Sequence, residues 1–441
     1  MINRTSQLVK YRRIFLCLAL LPFFHFGSAA TLDDSVSWNT VKELALKSNV
    51  ELQLARQGIE SAQADLLRAG LRPNPTLSVS DTGWKYNRGP IGRSVDIGSR
   101  IDQTIERGGK RELRIVQSAA QLESVRLDVL KSERQITTQV AAAIVDIDSA
   151  MLRLKASKEI SATLDRAESI ARKRFVAGDL SEVAADRVST DAIKARNDIA
   201  VAQGDLSDAQ QVLGLLLGKD SLGIDDFRRI DANSLPMVND DWLFGLRSLN
   251  PRNPDLLASK KREEVAQAAL DLAKSQRTRD VSIGLQVDKQ PDVGSAYFGL
   301  SFSIPLFVFN DYSADIRRAG SERLSAELET RRLHAQVEAD QTRLRNALLL
   351  ARERETRLRE QALPLAQRNS KTVEFSFQRG ASSVLDVLDA ERTLRGIQIE
   401  VINARADRLR AETAVALIQD PLFLASTSAD AITPATSALN P

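Results

Sequence analysis

The chain states one pattern twice. Asn49 to Val79 matches Asn253 to Ile283 at a constant offset of 204 residues. Asn49 meets Asn253, Leu52 meets Leu256, and Ala62-Gln63-Ala64 meets Ala266-Gln267-Ala268. A second stretch repeats at an offset of 202, where Phe175 and Gly178 meet Phe377 and Gly380, and Asp205 meets Asp407. Solenoid repeats are about 20–50 residues long, so this period is not theirs. It predicts a duplicated unit whose halves pack as pseudo-equivalent partners. Each copy reads as a helix, two short alternating strands, a very long helical run, a Gly turn and a further helix.

The ends of the chain read differently from this pattern. Residues 1–30 form a signal peptide by composition. Arg4, Lys10, Arg12 and Arg13 are a basic start, Ile14 to Phe26 is mostly apolar, and Gly27-Ser28-Ala29-Ala30 offers small residues for cleavage. The apolar run is too short to cross a hydrocarbon core of about 30 Å. The only cysteine, Cys17, sits inside that run and is expected to leave with it. Residues 421–441 are rich in Ser, Thr, Ala and Pro and read as a flexible tail.

Removing the first thirty residues leaves 57 Lys and Arg against 58 Asp and Glu. That balance gives no basic excess to recruit nucleic acid. The remaining chain has no thiol and one histidine, His334. This excludes a disulfide framework and a Cys nucleophile, and it supplies too few soft ligands for a His-cluster metal site. No cofactor motif or phosphate loop is present, and no enzyme is expected.

Residues 108–176 and 314–376 contain almost no helix breaker apart from Pro364. A continuous helix of about 65 residues would reach roughly 100 Å. Along 120–150 the positions Leu122, Val125, Leu127, Leu130, Ile136, Val140, Ile144 and Ile147 fall near spacings of three and four. Such narrow stripes predict coiled-coil seams rather than a thick core. Residues 219–253, rich in Asp, Asn, Gly and Pro, read as a connector packed outside the rods. The domain order is therefore a first repeat over 31–218, the connector, and a second repeat over 254–420.

The strand signals are short and come in pairs. Leu77 and Val79 alternate with serines; Val95, Ile97 and Ile101 alternate with Asp96, Gly98 and Arg100. In the second copy Val281, Ile283, Leu285 and Val287 alternate with polar residues, as do Phe298, Leu300 and Phe302. Strict alternation gives one apolar and one wet face. Two hairpins half-buried on soluble helices would read this way, and so would strands of an outer-membrane barrel. Four strands cannot close a barrel, which needs about eight. Open strand edges cannot face lipid, because unpaired backbone groups there cost several kcal/mol each. A membrane reading therefore requires oligomerisation, and three copies of four would supply twelve strands.

Several motifs, in order and doubled, resemble the outer-membrane efflux factors, the TolC-like family, over about residues 37–420. Arg72-Pro73-Asn74-Pro75-Thr76-Leu77 resembles the entry into the first strand. Gln103-Thr104-Ile105-Glu106-Arg107-Gly108-Gly109-Lys110-Arg111 resembles the return into the long helix, and Ser303-Ile304-Pro305-Leu306-Phe307 is its second-copy counterpart. Phe377-Gln378-Arg379-Gly380 followed by Leu385-Asp386-Val387-Leu388-Asp389 resembles a helical hairpin tip. The Ile-Glu-Arg-Gly-Gly-Lys-Arg form is similar to the subgroup paired with cobalt–zinc–cadmium resistance pumps.

The resemblance implies a mainly α protein with a membrane β-barrel. Long antiparallel helical hairpins would form an α-barrel across the periplasm. Four strands per protomer would complete a 12-stranded barrel in a homotrimer in the outer membrane. It implies a passive duct with a periplasmic adaptor and an inner-membrane proton-driven pump as partners. Val281, Ile283, Leu285, Phe298, Leu300 and Phe302 would face lipid. Phe175, Gly178, Phe377 and Gly380 would dock the adaptor at the hairpin tips, and Asp386 and Asp389 would ring the pore constriction. The acids could instead favour the start of their own helix through its dipole.

Three positions depart from the family pattern. Ser382 stands where drug-efflux members carry an Arg that helps to lock the entrance, and Ala184 and Arg187 stand where the first copy would match Asp386 and Asp389. A drug-efflux or type I secretion duct remains open as an alternative. A coiled-coil adaptor would need a Gly-rich β module that is absent, and a structural rod would need neither strand pairs nor an export signal.

Overall fold

The computed structural model describes residues 37–82, 96–218, 231–238, 253–289 and 294–419. The signal peptide, Val95, the tail and most of the connector lie outside these residues.

Two helices open the first copy, α1 (Trp38–Ser48) and α2 (Val50–Ala69). Strands β1 (Thr76–Thr82) and β2 (Asp96–Ile105) follow, then the 67-residue helix α3 (Lys110–Val176) and α4 (Glu182–Leu216). The second copy repeats the series with α5 (Pro254–Ser275), β3 (Val281–Lys289) and β4 (Ala296–Ser303). A broken rod comes next, α6 (Ser313–Arg357) and α7 (Leu363–Gln378), and α8 (Val384–Gln419) ends the described chain. At 1.5 Å per residue α3 alone reaches roughly 100 Å.

The duplication is written into the caps. Asn49 accepts a hydrogen bond from the Leu52 backbone to start α2, and Asn253 accepts one from Asp255 to start α5. Each satisfies a backbone donor that the first helical turn leaves orphaned. The long helices also begin alike, Gly109 preceding α3 at φ 68° and Tyr312 preceding α6 at φ 62°. Glycine holds that left-handed conformation without strain, whereas tyrosine occupies it at a cost.

The second rod widens just before its proline. Pro364 has no N–H to donate, and a single π-turn at Leu358–Ala362 lies just before it. Wide turns of this kind absorb the lost bond without ending the helix.

One expectation is corrected. At mid-length α3 does not bury a narrow stripe. Val140, Ala141, Ala143, Ile144, Val145 and Ile147 are all buried, so the covered face is far wider than a seam, while Gln139 and Asp146 keep the far side open. Trp38, Val41 and Leu52 pack on it from α1 and α2, Leu213 from α4, Ala232 and Leu235 from the connector, and Leu409 from α8. The short helices and the connector turn a coiled-coil seam into a local globular core. Towards the tips the hairpins α3–α4 and α7–α8 are tied by Arg392–Asp191 at 2.8 Å and Arg395–Asp198 at 2.6 Å.

The strands form one antiparallel sheet in the order β1-β2-β3-β4. The central pairing, β2 with β3, joins the two copies, and β1 and β4 are left as edges. Among the described residues no helix is long and apolar enough to cross a membrane.

Candidate functional site

The register sorts the sheet into two faces. Leu77 pairs with Ile101, Ile101 with Leu285 and Leu285 with Leu300, so one row of aliphatic side chains crosses all four strands. Ile283 pairs with Phe302, Val287 with Phe298, and Ile105 with Val281 on the same face. The six residues singled out from the sequence thus share one side. Within the protomer that side is bare, with Phe298 84% and Leu300 83% exposed. This rules out hairpins half-buried on their own helices. A contiguous apolar face of this kind marks an interaction surface.

The opposite face is polar. Thr104 and Ser282 hydroxyls meet at 3.0 Å. Further along, Arg100 pairs with Asp102 at 2.8 Å, and Gln286 donates to Asp288 at 2.6 Å. Period-2 alternation separates the faces because successive side chains on a strand point oppositely.

Where β2 turns into α3, the residues of the Glu106–Arg111 motif each have a structural task. Arg114 forms a two-pronged pair with the Glu106 carboxylate. That hydrogen bond holds Glu106 below its ordinary pKa, against the smaller opposing effect of burial. Lys110, nearly buried, reaches Asp280 before β3 at 2.9 Å, and the Arg107 backbone donates to the same carboxylate at 2.9 Å. Arg111 donates to the Gly70 carbonyl at the end of α2, 2.6 Å away. Gly108 sits at φ 75°, and a Cβ there would lie 2.7 Å from the Thr278 side chain. The motif is a collar that ties both strand hairpins to the rods.

At the other end each hairpin closes in the same way. Gly178 has φ 80° and Gly380 φ 81°. Asp179 N–H donates to the Arg174 carbonyl and Gly178 N–H to Phe175 in the first tip. Ala381 N–H donates to Ser376 and Gly380 N–H to Phe377 in the second. Both are Schellman closures, which place a left-handed residue just past the helix end.

The tips differ in their aromatic residues, and this corrects the sequence reading. Phe175 is 43% exposed, but Phe377 is only 2% exposed. It is packed with Leu164, Ala171, Val188, Val384 and Leu388. Arg174 from the first tip seals it, with the guanidinium 4.7 Å from the ring centroid and donating to the Phe377 carbonyl at 2.6 Å. Phe377 cannot dock a partner through its ring; it is core.

Asp386 and Asp389 are both exposed in the first turns of α8. Asp386 accepts from the Ser383 N–H and hydroxyl, each at 2.8 Å, and the Ser383 hydroxyl accepts from the Asp386 N–H at 3.2 Å. This reciprocal arrangement is a capping box. The Ser383 hydroxyl, with its N–H second, lowers the Asp386 pKa. Asp386 therefore has a local structural task, whereas Asp389 lies outside the box. In the first copy Ser181 caps α4 with Ala184 in the third position. Sequence reasoning missed Glu391, two residues on. It is buried against the Ser370 hydroxyl at 2.5 Å, and burial raises its pKa.

Bare apolar strands beneath roughly 100 Å rods define a class of protein, the outer-membrane channel with a periplasmic extension. The outer membrane protein VceC of Vibrio cholerae shares this fold, with a TM-score of 0.70 at 18% identity, over 86% of this chain and 95% of that one. The chain belongs to the family described as "Outer membrane efflux protein", whose model matches residues 41–219 and again 246–418. It is similar to the cobalt-zinc-cadmium resistance protein CzcC of Cupriavidus metallidurans, 26% identical over 406 residues, covering 90% of this chain and 92% of that protein. It is also similar to the cation efflux system protein CusC of Escherichia coli O157:H7, 23% identical over 377 residues, covering 81% of this chain and 80% of that one. The protein is an outer-membrane efflux channel and not an enzyme.

Proposed function

We propose that this chain is the exit duct of a tripartite efflux system and passes divalent metal cations from pump and adaptor to the cell exterior. The observation that carries the proposal is the four-stranded sheet with one bare apolar face and two unpaired edges. Such a sheet is stable in lipid only when its edges are closed by other copies. A homotrimer closes a 12-stranded barrel with Val281, Ile283, Leu285, Phe298, Leu300 and Phe302 outward. The rods continue the bore inward to an adaptor and an inner-membrane proton-driven pump. The repeats at 31–218 and 254–420 supply the wall, with 219–253 as an equatorial connector. The likeness to CzcC and CusC, one named for cobalt, zinc and cadmium and the other for cations, supports this cargo.

The test is a deletion strain loaded with zinc, cobalt or cadmium. Loss of the gene is expected to raise retained metal and lower the tolerated concentration, and a plasmid copy should reverse both. Unchanged metal retention together with new sensitivity to organic drugs would move the protein to the drug-efflux reading. Loss of a secreted protein instead would indicate a type I secretion duct.

Phe175, Gly178 and Gly380 form the adaptor-docking tips in this proposal, with Phe377 supporting them from within. A valine at φ near 80° is strained by roughly 1–3 kcal/mol, and nothing lies near Gly178 to oppose the side chain itself. Gly178→Val and Gly380→Val are each expected to lower efflux several-fold while the trimer still assembles. Adaptor cross-linking and native gel migration would be measured side by side. Equal loss of both would make the tips plain turns.

A further inference from the structure

We infer that the barrel wall carries a charge filter of its own, built by Arg100, Asp102 and Asp288 on the polar face of the sheet. This rests on the channel reading, in which that face lines the bore. The three residues sit around a local two-fold arrangement in the β2–β3 pair. Asp102 lies opposite Gly284, Asp288 opposite Gly98, and Arg100 opposite Gln286 between them.

The glycines are niches. A Cβ at Gly98 would come within 2.7 Å of the Asp288 carboxylate and 2.8 Å of the Ser80 hydroxyl. A Cβ at Gly284 would overlap the Asp102 carboxylate and the Ser301 hydroxyl. Each acid therefore folds across the backbone of the neighbouring strand instead of standing into the bore. Polar partners hold them there. Arg100 Nε lies 2.8 Å from Asp102, Ser301 donates to Asp102 at 3.3 Å, and Gln286 donates to Asp288 at 2.6 Å.

The two carboxylates lie against the wall and do not project from it. Among the described side chains this face carries two carboxylates, Asp102 and Asp288, against one guanidinium in each protomer, so the wall they line is negative. A negative ring on a low-dielectric wall raises the local concentration of cations and opposes anions. Arg100 tempers this attraction and pins Asp102, so a cation is drawn through without being bound tightly. The filter lies in the barrel, at the far end of the rods from Asp386 and Asp389, and acts in series with them.

The test uses the full-length trimer in planar bilayers, in an Asp386→Asn, Asp389→Asn background that removes the entrance acids. The potassium-to-chloride permeability ratio is read from the reversal potential in a KCl gradient. Arg100→Gln is expected to raise that ratio and Asp288→Asn to lower it, each roughly twofold. Asp102→Asn should act as Asp288→Asn does. Resistance of the trimer to SDS would show that each variant is assembled. Conducting channels whose ratio stays put, or moves the same way in Arg100→Gln and Asp288→Asn, would overturn the inference. Background trimers that do not conduct at all would overturn the channel reading beneath it.

Discussion

Leu300→Arg and Phe302→Arg are expected to remain as unassembled protomers, while Ser301→Arg reaches the outer membrane as a trimer. All three sit on β4, one residue apart, so strand propensity and chain position are held nearly constant. Only the face differs. Leu300 pairs with Leu285 and Phe302 with Ile283 on the apolar side, whereas Ser301 touches Asp102 on the polar side. An arginine facing lipid near the midplane costs roughly 2–4 kcal/mol, and a trimer meets that cost at every copy. The same arginine at 301 enters water beside a carboxylate. Fractionated outer membranes and heat-modifiable gel migration would measure assembly. If the three variants behave alike, the apolar face does not meet lipid and the 12-stranded barrel falls.

Neutralising the entrance acids is expected to change which ions pass. In a trimer Asp386 and Asp389 supply six carboxylates near the periplasmic end, a density that concentrates cations. Asp386→Asn with Asp389→Asn is expected to lower cation preference on the order of tenfold and to relieve block by multivalent cations. The capping box at Ser383 makes the single variants informative. Asp386→Asn weakens the box and should cost about 1 kcal/mol of stability as well as selectivity. Asp389→Asn leaves the box intact, so it should change selectivity without changing thermal stability. Conductance of intact trimers with a parallel thermal melt would separate the effects. Unchanged selectivity in the double variant would leave both acids as helix-start residues only.

Much of the fold was legible because duplication and periodicity are properties of the chain itself. The offset of about 200 residues placed Asn49 with Asn253, and both are caps. The period-2 runs placed Leu77, Ile101, Leu285 and Leu300 on strands, and the absence of breakers foresaw a helix ending at Val176. Gly178 and Gly380 mark the Gly turn of each copy, and both have positive φ. Local chemistry suffices for such features, since caps, pleats and Schellman closures are built within a few residues.

What the sequence could not decide depends on which partner covers which side. Phe175 and Phe377 are equivalent in the repeat, yet Arg174 and the α3–α4 hairpin bury only the second. The stripe of α3 became a core at Val140 to Ile147 because α1, α2 and residues 232–235 cover the faces that a coiled coil would leave wet. The carboxylates of Asp102 and Asp288 were visible as polar alternation, but their glycine niches lie on strands far away in the chain. By itself the sequence determined the elements, their doubling and the two faces of each strand, because these follow from backbone sterics and side-chain period. The tertiary structure alone decided which copy of a repeated residue is buried and which charges share a wall, because burial and pairing belong to contacts between distant segments.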